Sequence, residues 1–239
     1  MKLIGYYNYT VLPTYAGLAA AVFGIFAALT GHVATAVLCL MLSGLVDMFD
    51  GKIAHTRRRS EQERLFGIQI DSLCDLVSFG VLPAVIGYAV GLRELWYIAV
   101  MVLYVLTALI RLAYFNVDEM DRQAQTTERR QYYQGLPVTT VALFFPVLYS
   151  LRDLIGSAFP VVYAVSLVLI AAAFVSPFRL KKPGLGGMLV MLAVGIVELV
   201  LLVISVCADS FSRFNSAILH FFGKGLDISE KSGYTIITV

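Results

Sequence analysis

From Tyr15 to Cys207 the chain is a succession of long apolar runs joined by short connections, and most of its charge sits in the connections. That alternation limits the fold more than any other feature. A bilayer core about 30 Å thick is crossed by roughly 20 apolar residues wound as a helix. The runs read as Tyr15–Thr30, Val33–Ala54, Phe66–Leu92, Trp96–Asn116, Pro137–Leu151, Pro160–Phe178 and Met188–Cys207. The expected fold is therefore all-α, a polytopic transmembrane helix bundle of about seven spans (six to eight). Composition agrees. Only 14% of the residues are charged, against roughly a quarter in a soluble domain.

The expected organisation is one transmembrane domain over 1–207 and a C-terminal tail over 208–239. Within the tail, Phe211–Phe222 reads as interfacial and 223–239 as weakly ordered. The N-terminal stretch shows no small-residue cleavage site and reads as retained. Residues 55–65 and 117–136 read as polar connections, and 179–187 as a basic turn. Pro83 predicts a kink in the third helix. A net charge of +2 is too small for a nucleic-acid partner. Basic residues gather in 52–64, 122–130 and 179–182. The positive-inside rule places those connections and the N-terminus in the cytoplasm, and an odd number of spans places the C-terminus outside. The expected location is the cell (cytoplasmic) membrane. Cys39, Cys74 and Cys207 lie in apolar runs and read as packing residues, with no disulfide framework or zinc spacing.

The chemistry is concentrated between Asp47 and Asp75. Asp47 and Asp50 are three apart at the end of the second run; Asp71 and Asp75 are four apart near the start of the third. Residues three or four apart share a helix face, so both pairs can point into one cleft. Four carboxylates at a membrane edge repel unless cations lie among them. Oxygen ligands suit hard divalent ions, Mg²⁺ or Mn²⁺ and also Ca²⁺. Gly51, Ala54 and Gly67 place little side chain nearby, which gives a phosphorylated ligand close approach to the backbone.

The pattern D-x-x-D-G-x-x-A followed by G-x-x-x-D-x-x-x-D resembles the signature of the CDP-alcohol phosphatidyltransferases. It departs once. The family has Arg directly after the Ala, and here that residue is His55; Arg57, Arg58 and Arg59 follow, and a neighbouring Arg can substitute. The resemblance implies transfer of a phosphatidyl group from a CDP-linked lipid to an alcohol, with release of CMP. It implies divalent metal at Asp47, Asp50, Asp71 and Asp75, and Asp75 as the general base. It implies a nucleotide pocket built from Asp50, Gly51, Ala54, His55, Gly67 and Asp71, and a homodimer. The site is expected to face the cytoplasm.

Three further stretches, D-S-L-C-D-L-V-S-F-G-V-L-P-A at 71–84, R-L-A-Y-F-N at 111–116 and Q-G-L-P at 134–137, resemble the bacterial phosphatidylserine synthases within that family. The implied substrates are CDP-diacylglycerol and L-serine. Arg111 can hold a carboxylate, and Asn116 and Gln134 offer amides, so these three are expected at the acceptor. Glycerol phosphate, inositol phosphate or choline as acceptor is the alternative within the family. Outside it, the aspartates can be read as a cation-transport site, although transport sites usually lie near the midplane. Glu198 lies within the seventh run, where a carboxylate calls for a partner. His32 and His220 read as solvated.

Overall fold

The computed structural model describes residues 4–54, 56–57, 59–125, 132–181, 184, 186–187 and 190–204. His55, Arg58, Arg129, Arg130, Cys207, His220 and the expected tail 208–239 lie outside them. Five segments are long and apolar enough to cross a membrane: Tyr9–Leu29, Val33–Gly51, Glu61–Ala89, Leu95–Arg122 and Arg152–Val175. Val138–Ser150 and Val190–Ile204 are shorter apolar helices. Together they occupy the seven expected runs, and the protein is a polytopic helical bundle.

The helices are α1 (Leu12–Leu29), α2 (Val33–Ala54), α3 (Glu61–Asp75), α4 (Leu82–Ala89), α5 (Leu95–Gln125), α6 (Val141–Ser150), the short α7 (Arg152–Ile155), α8 (Phe159–Val175) and α9 (Val190–Ile204). The chain to Leu199 forms one unit, and Val200–Ile204 of α9 belongs to a second. α1 packs along α2, α5 along α8, and α2 also meets α6. Small residues let these helices approach. A Cβ at Gly24 would lie 2.7 Å from Cys39 Cβ, and one at Gly44 would collide with Ala142 Cβ. In hydrocarbon, such close backbone approach replaces the hydrophobic drive that lipid cannot supply.

The kink expected from Pro83 takes a particular form. Leu76–Val81 is a turn of π-helix between α3 and α4, with the Leu82 amide bonding the Val77 carbonyl five residues back. Proline has no N–H to give the carbonyl four residues before it, which is that of Phe79. The buried hydroxyl of Tyr104 on α5 donates to the Phe79 carbonyl at 2.7 Å. Tyr163 on α8 donates to the Pro83 carbonyl at 2.8 Å. Phe145 on α6 stacks on Tyr163 at 4.8 Å and meets Tyr104 edge-on at 6.2 Å. The aromatic core thus grips the irregular turn that follows Asp75.

Several boundaries differ from expectation. α3 begins at Glu61 rather than Phe66, because Ser60 and Glu63 form a reciprocal cap: the Glu63 amide donates to Ser60 Oγ at 3.2 Å and the Ser60 amide to Glu63 Oε2 at 2.9 Å. α5 runs to Gln125 instead of ending at Asn116. At ~1.5 Å per residue it is about 46 Å long, so its last turns leave the bilayer, supported by an Arg122–Glu119 pair at 2.6 Å. The sixth run opens with α7 and ends at Val175. The basic turn contains a strand: β2 (Arg179–Lys181) pairs antiparallel with β1 (Tyr132–Gln134). Between the strand and α6, Gly135 adopts φ 71°, and a Cβ there would lie 2.8 Å from the Phe174 carbonyl. Only glycine suits both the conformation and the approach.

Candidate active site

The two acidic helix ends lie side by side. One carboxylate oxygen from each of Asp47, Asp71 and Asp75 can be chosen so that all lie within 4.8 Å of one another. The Asp50 carboxyl lies against that of Asp71 and reaches the Thr14 hydroxyl and the Gly51 amide. Asp47 lies against Asp75. All four are half-buried, and among the described residues none is ion-paired with an arginine or lysine.

α1 closes the third side of the cleft. Thr14 and Gly17 line it with Ser43 and Val46 of α2 and Ser78 of the π-turn. Ser43 fastens the wall by donating to the Gly17 carbonyl at 2.9 Å. Sequence reasoning missed α1. The available signal was a threonine and a glycine one turn apart at the start of an apolar run, P-T-Y-A-G.

The donor set fits a divalent cation. Oxygens held ~2.1–2.4 Å from one ion can be at most about 4.2–4.8 Å apart, and one oxygen from each of Asp47, Asp71 and Asp75 keeps within the upper limit. The set is all oxygen, which favours Mg²⁺, Mn²⁺ or Ca²⁺ over softer metals. Without a cation, carboxylates this close in a partly desolvated cleft repel strongly.

The other expected residues fall into two groups. Gly51 borders open space, so the last turn of α2 is accessible beside Asp50. Ala54 ends α2. Gly67 is not open in the same way: a Cβ there would lie 3.2 Å from Nη1 of Arg59. Asn116 is joined to the aspartate helix, because Ser72, between Asp71 and Asp75, donates to its Oδ1 at 3.0 Å. Arg111 and Gln134 are tied to the segment before α6. Arg111 Nε donates to the Leu136 carbonyl at 3.2 Å, and Tyr114 donates to Gln134 Oε1 at 2.9 Å. Arg111 is 6% exposed, so it does not snorkel to water. Glu198 accepts a bond from Ser150 at 3.2 Å, which supplies the partner its position calls for.

Fold and site together define a polytopic helical membrane protein with carboxylates converging from two adjacent helix ends. The CDP-alcohol phosphatidyltransferase profile matches residues 10–178, and the chain belongs to that family. A CDP-diacylglycerol–serine O-phosphatidyltransferase of Saccharomyces cerevisiae is 36% identical over 148 residues, 60% of this chain and 52% of that protein. One of Mycobacterium leprae is 33% identical over 150 residues, 62% and 47% respectively. An archaetidylserine synthase of Methanothermobacter thermautotrophicus is 30% identical over 152 residues, 62% and 60%. The matched region thus spans about half the length of the first two relatives.

Proposed function

We propose that this protein transfers the phosphatidyl group of CDP-diacylglycerol to the hydroxyl of L-serine, forming phosphatidylserine and CMP. The observation that carries the reading is the convergence of Asp47, Asp71 and Asp75 within 4.8 Å, with Asp50 against Asp71. The serine-transferring activities named for relatives in bacteria and yeast support the choice of acceptor.

In this reading Asp47, Asp50, Asp71 and Asp75 hold divalent metal. Bound there, the metal supplies charge neutralisation at the donor diphosphate. Asp75, at the end of α3, takes the proton of the serine hydroxyl, a poor nucleophile at neutral pH. The new bond joins that oxygen to the phosphorus of the phosphatidyl group. The bond that breaks joins the same phosphorus to the CMP oxygen, which leaves with its electron pair. Gly51 keeps the approach beside Asp50 clear for the nucleotide. Asn116, held by Ser72, stands on the acceptor side with Arg111 and Gln134, where the serine carboxylate needs a cation and hydrogen-bond donors. In this reading the site faces the cytoplasm, because the basic connection 52–64 joins the two aspartate pairs in the chain and basic connections lie inside.

An acceptor screen tests the reading. Purified protein given CDP-diacylglycerol and Mn²⁺ releases CMP with serine and stops when chelator is added. CMP release only with glycerol phosphate or inositol phosphate would reassign the acceptor.

A further inference from the structure

Among the described residues three serines are buried, and two of them spend their hydroxyls on their own helix. Ser43 donates to the Cys39 carbonyl at 3.0 Å and Ser166 to the Val162 carbonyl at 2.8 Å, each four residues back. Ser78 breaks the pattern. It is 3% exposed, yet its hydroxyl has no hydrogen-bond partner among the described residues. It stands in the π-turn, where the backbone ladder reaches five residues back rather than four. Its oxygen is not sealed in the packing, and Ser78 borders the cleft together with Asp47 and Asp75.

The inner end of the cleft is small and mixed in character. Ser78, Ser43, Asp47 and Asp75 supply its polar lining, Leu18 and Val46 its apolar lining, and Asp71 lies outside it. The space admits little more than one water molecule, too little for a nucleotide or an amino acid. Deeper in the bundle Gly24 lies against Cys39 and Leu82, which closes the cleft towards the hydrocarbon. A buried hydroxyl without a partner is costly. Asp47 and Asp75 lie against each other, and ionised carboxylates only accept. One water completes this set: it accepts from Ser78 Oγ–H and gives one hydrogen to each carboxylate. Where two polar groups stand too far apart to bond directly, a bridging water serves nearly as well.

We propose that Ser78 is a positioning residue for Asp47 and Asp75, acting through one water held at the inner end of the cleft. The inference rests on the functional reading above and deepens it. The water holds the inner oxygen of Asp75 and leaves the outer one for the proton of the acceptor hydroxyl. Outer partners of this kind fix the orientation of ligating side chains.

The test compares Ser78→Ala, Ser78→Asn and Ser166→Ala in the full chain, purified in detergent. Serine-dependent CMP release gives kcat and KM, and spin resonance follows Mn²⁺ binding separately. Ser78→Ala lowers kcat by roughly tenfold and weakens Mn²⁺ severalfold without changing its stoichiometry, while the serine KM stays within about twofold. Ser78→Asn puts an amide where the serine and its water stood, with two N–H donors facing the carboxylates. It recovers most of both losses. Ser166→Ala, whose hydroxyl serves only its own helix, matches wild type. Wild-type kcat and Mn²⁺ affinity in Ser78→Ala overturn the proposal, and so does Ser78→Asn no better than Ser78→Ala. A defect confined to the serine KM overturns it too, because Ser78 would then touch the acceptor. Loss of bound Mn²⁺ equivalents in Ser78→Ala also overturns it, because the serine would then be an ion ligand or a support of the fold. A wild type that releases no CMP with serine removes the functional reading instead, and the Mn²⁺ affinities of the three variants then decide the role of Ser78 by themselves.

Discussion

Asp47 and Asp71 belong to different helices and are separated by a charged connection, yet their oxygens lie within 4.8 Å. Replacing Asp71 with Asn removes one charge and one of the two side-chain oxygens. Serine-dependent CMP release is expected to fall by roughly 100-fold or more, as for loss of a group that stabilises transition-state charge. Activity within threefold of wild type would remove Asp71 from the site. Arg111→Lys keeps the buried charge but not the fork. It is expected to raise the serine KM by about tenfold with kcat little changed, the pattern of lost ground-state and transition-state binding alike. An unaltered serine KM excludes Arg111 from the acceptor pocket. The four aspartates were legible because helical spacing of three and four is a local property. The Ser72–Asn116 bond joins residues 44 apart, and the seat of Arg59 over Gly67 depends on how a connection folds back. Neither leaves a periodic trace in the residue order.

The helices obey two kinds of rule. Hydropathy located the spans, but it misjudged the start of α3 and the end of α5, where the helix continues into water. The start of α3 was present in the residue order as S-x-x-E at 60–63, a capping signature that works through hydrogen bonds and leaves no mark on hydropathy. Ser60→Ala is expected to cost about 1 kcal/mol and to fray the first turn of α3, seen as faster amide exchange at Gln62–Arg64; unchanged exchange would show the cap to be idle. The π-turn is different in kind. Tyr104→Phe leaves the Phe79 carbonyl without its buried donor, at a cost of about 1–3 kcal/mol. Thermal unfolding in detergent should show the loss, and an unshifted midpoint would mean that the carbonyl finds another partner. Proline in the sequence announced an irregularity. Its form, a wide turn secured by hydroxyls from α5 and α8, was not readable from local residues.

Across the bundle, placing the aspartates on the cytoplasmic side makes a direct claim about topology. A cysteine at Thr56 should react with a membrane-impermeant maleimide only from the cytoplasmic face, and one at Leu95, beyond α4, only from the other; both assignments reversed would invert the active site. The sequence alone determined that this chain is a membrane-spanning helical bundle, which residues span it and which acids share a helix face. Hydropathy and helical periodicity act over one or two turns, so they are written into residue order. Tertiary structure decided which helices are neighbours, and so which acids meet. That choice came from close contacts between distant residues, Gly44 against Ala142 and Tyr104 against Phe79 among them. Their fit depends on shape in three dimensions, where lipid offers helices no hydrophobic reason to prefer one partner over another.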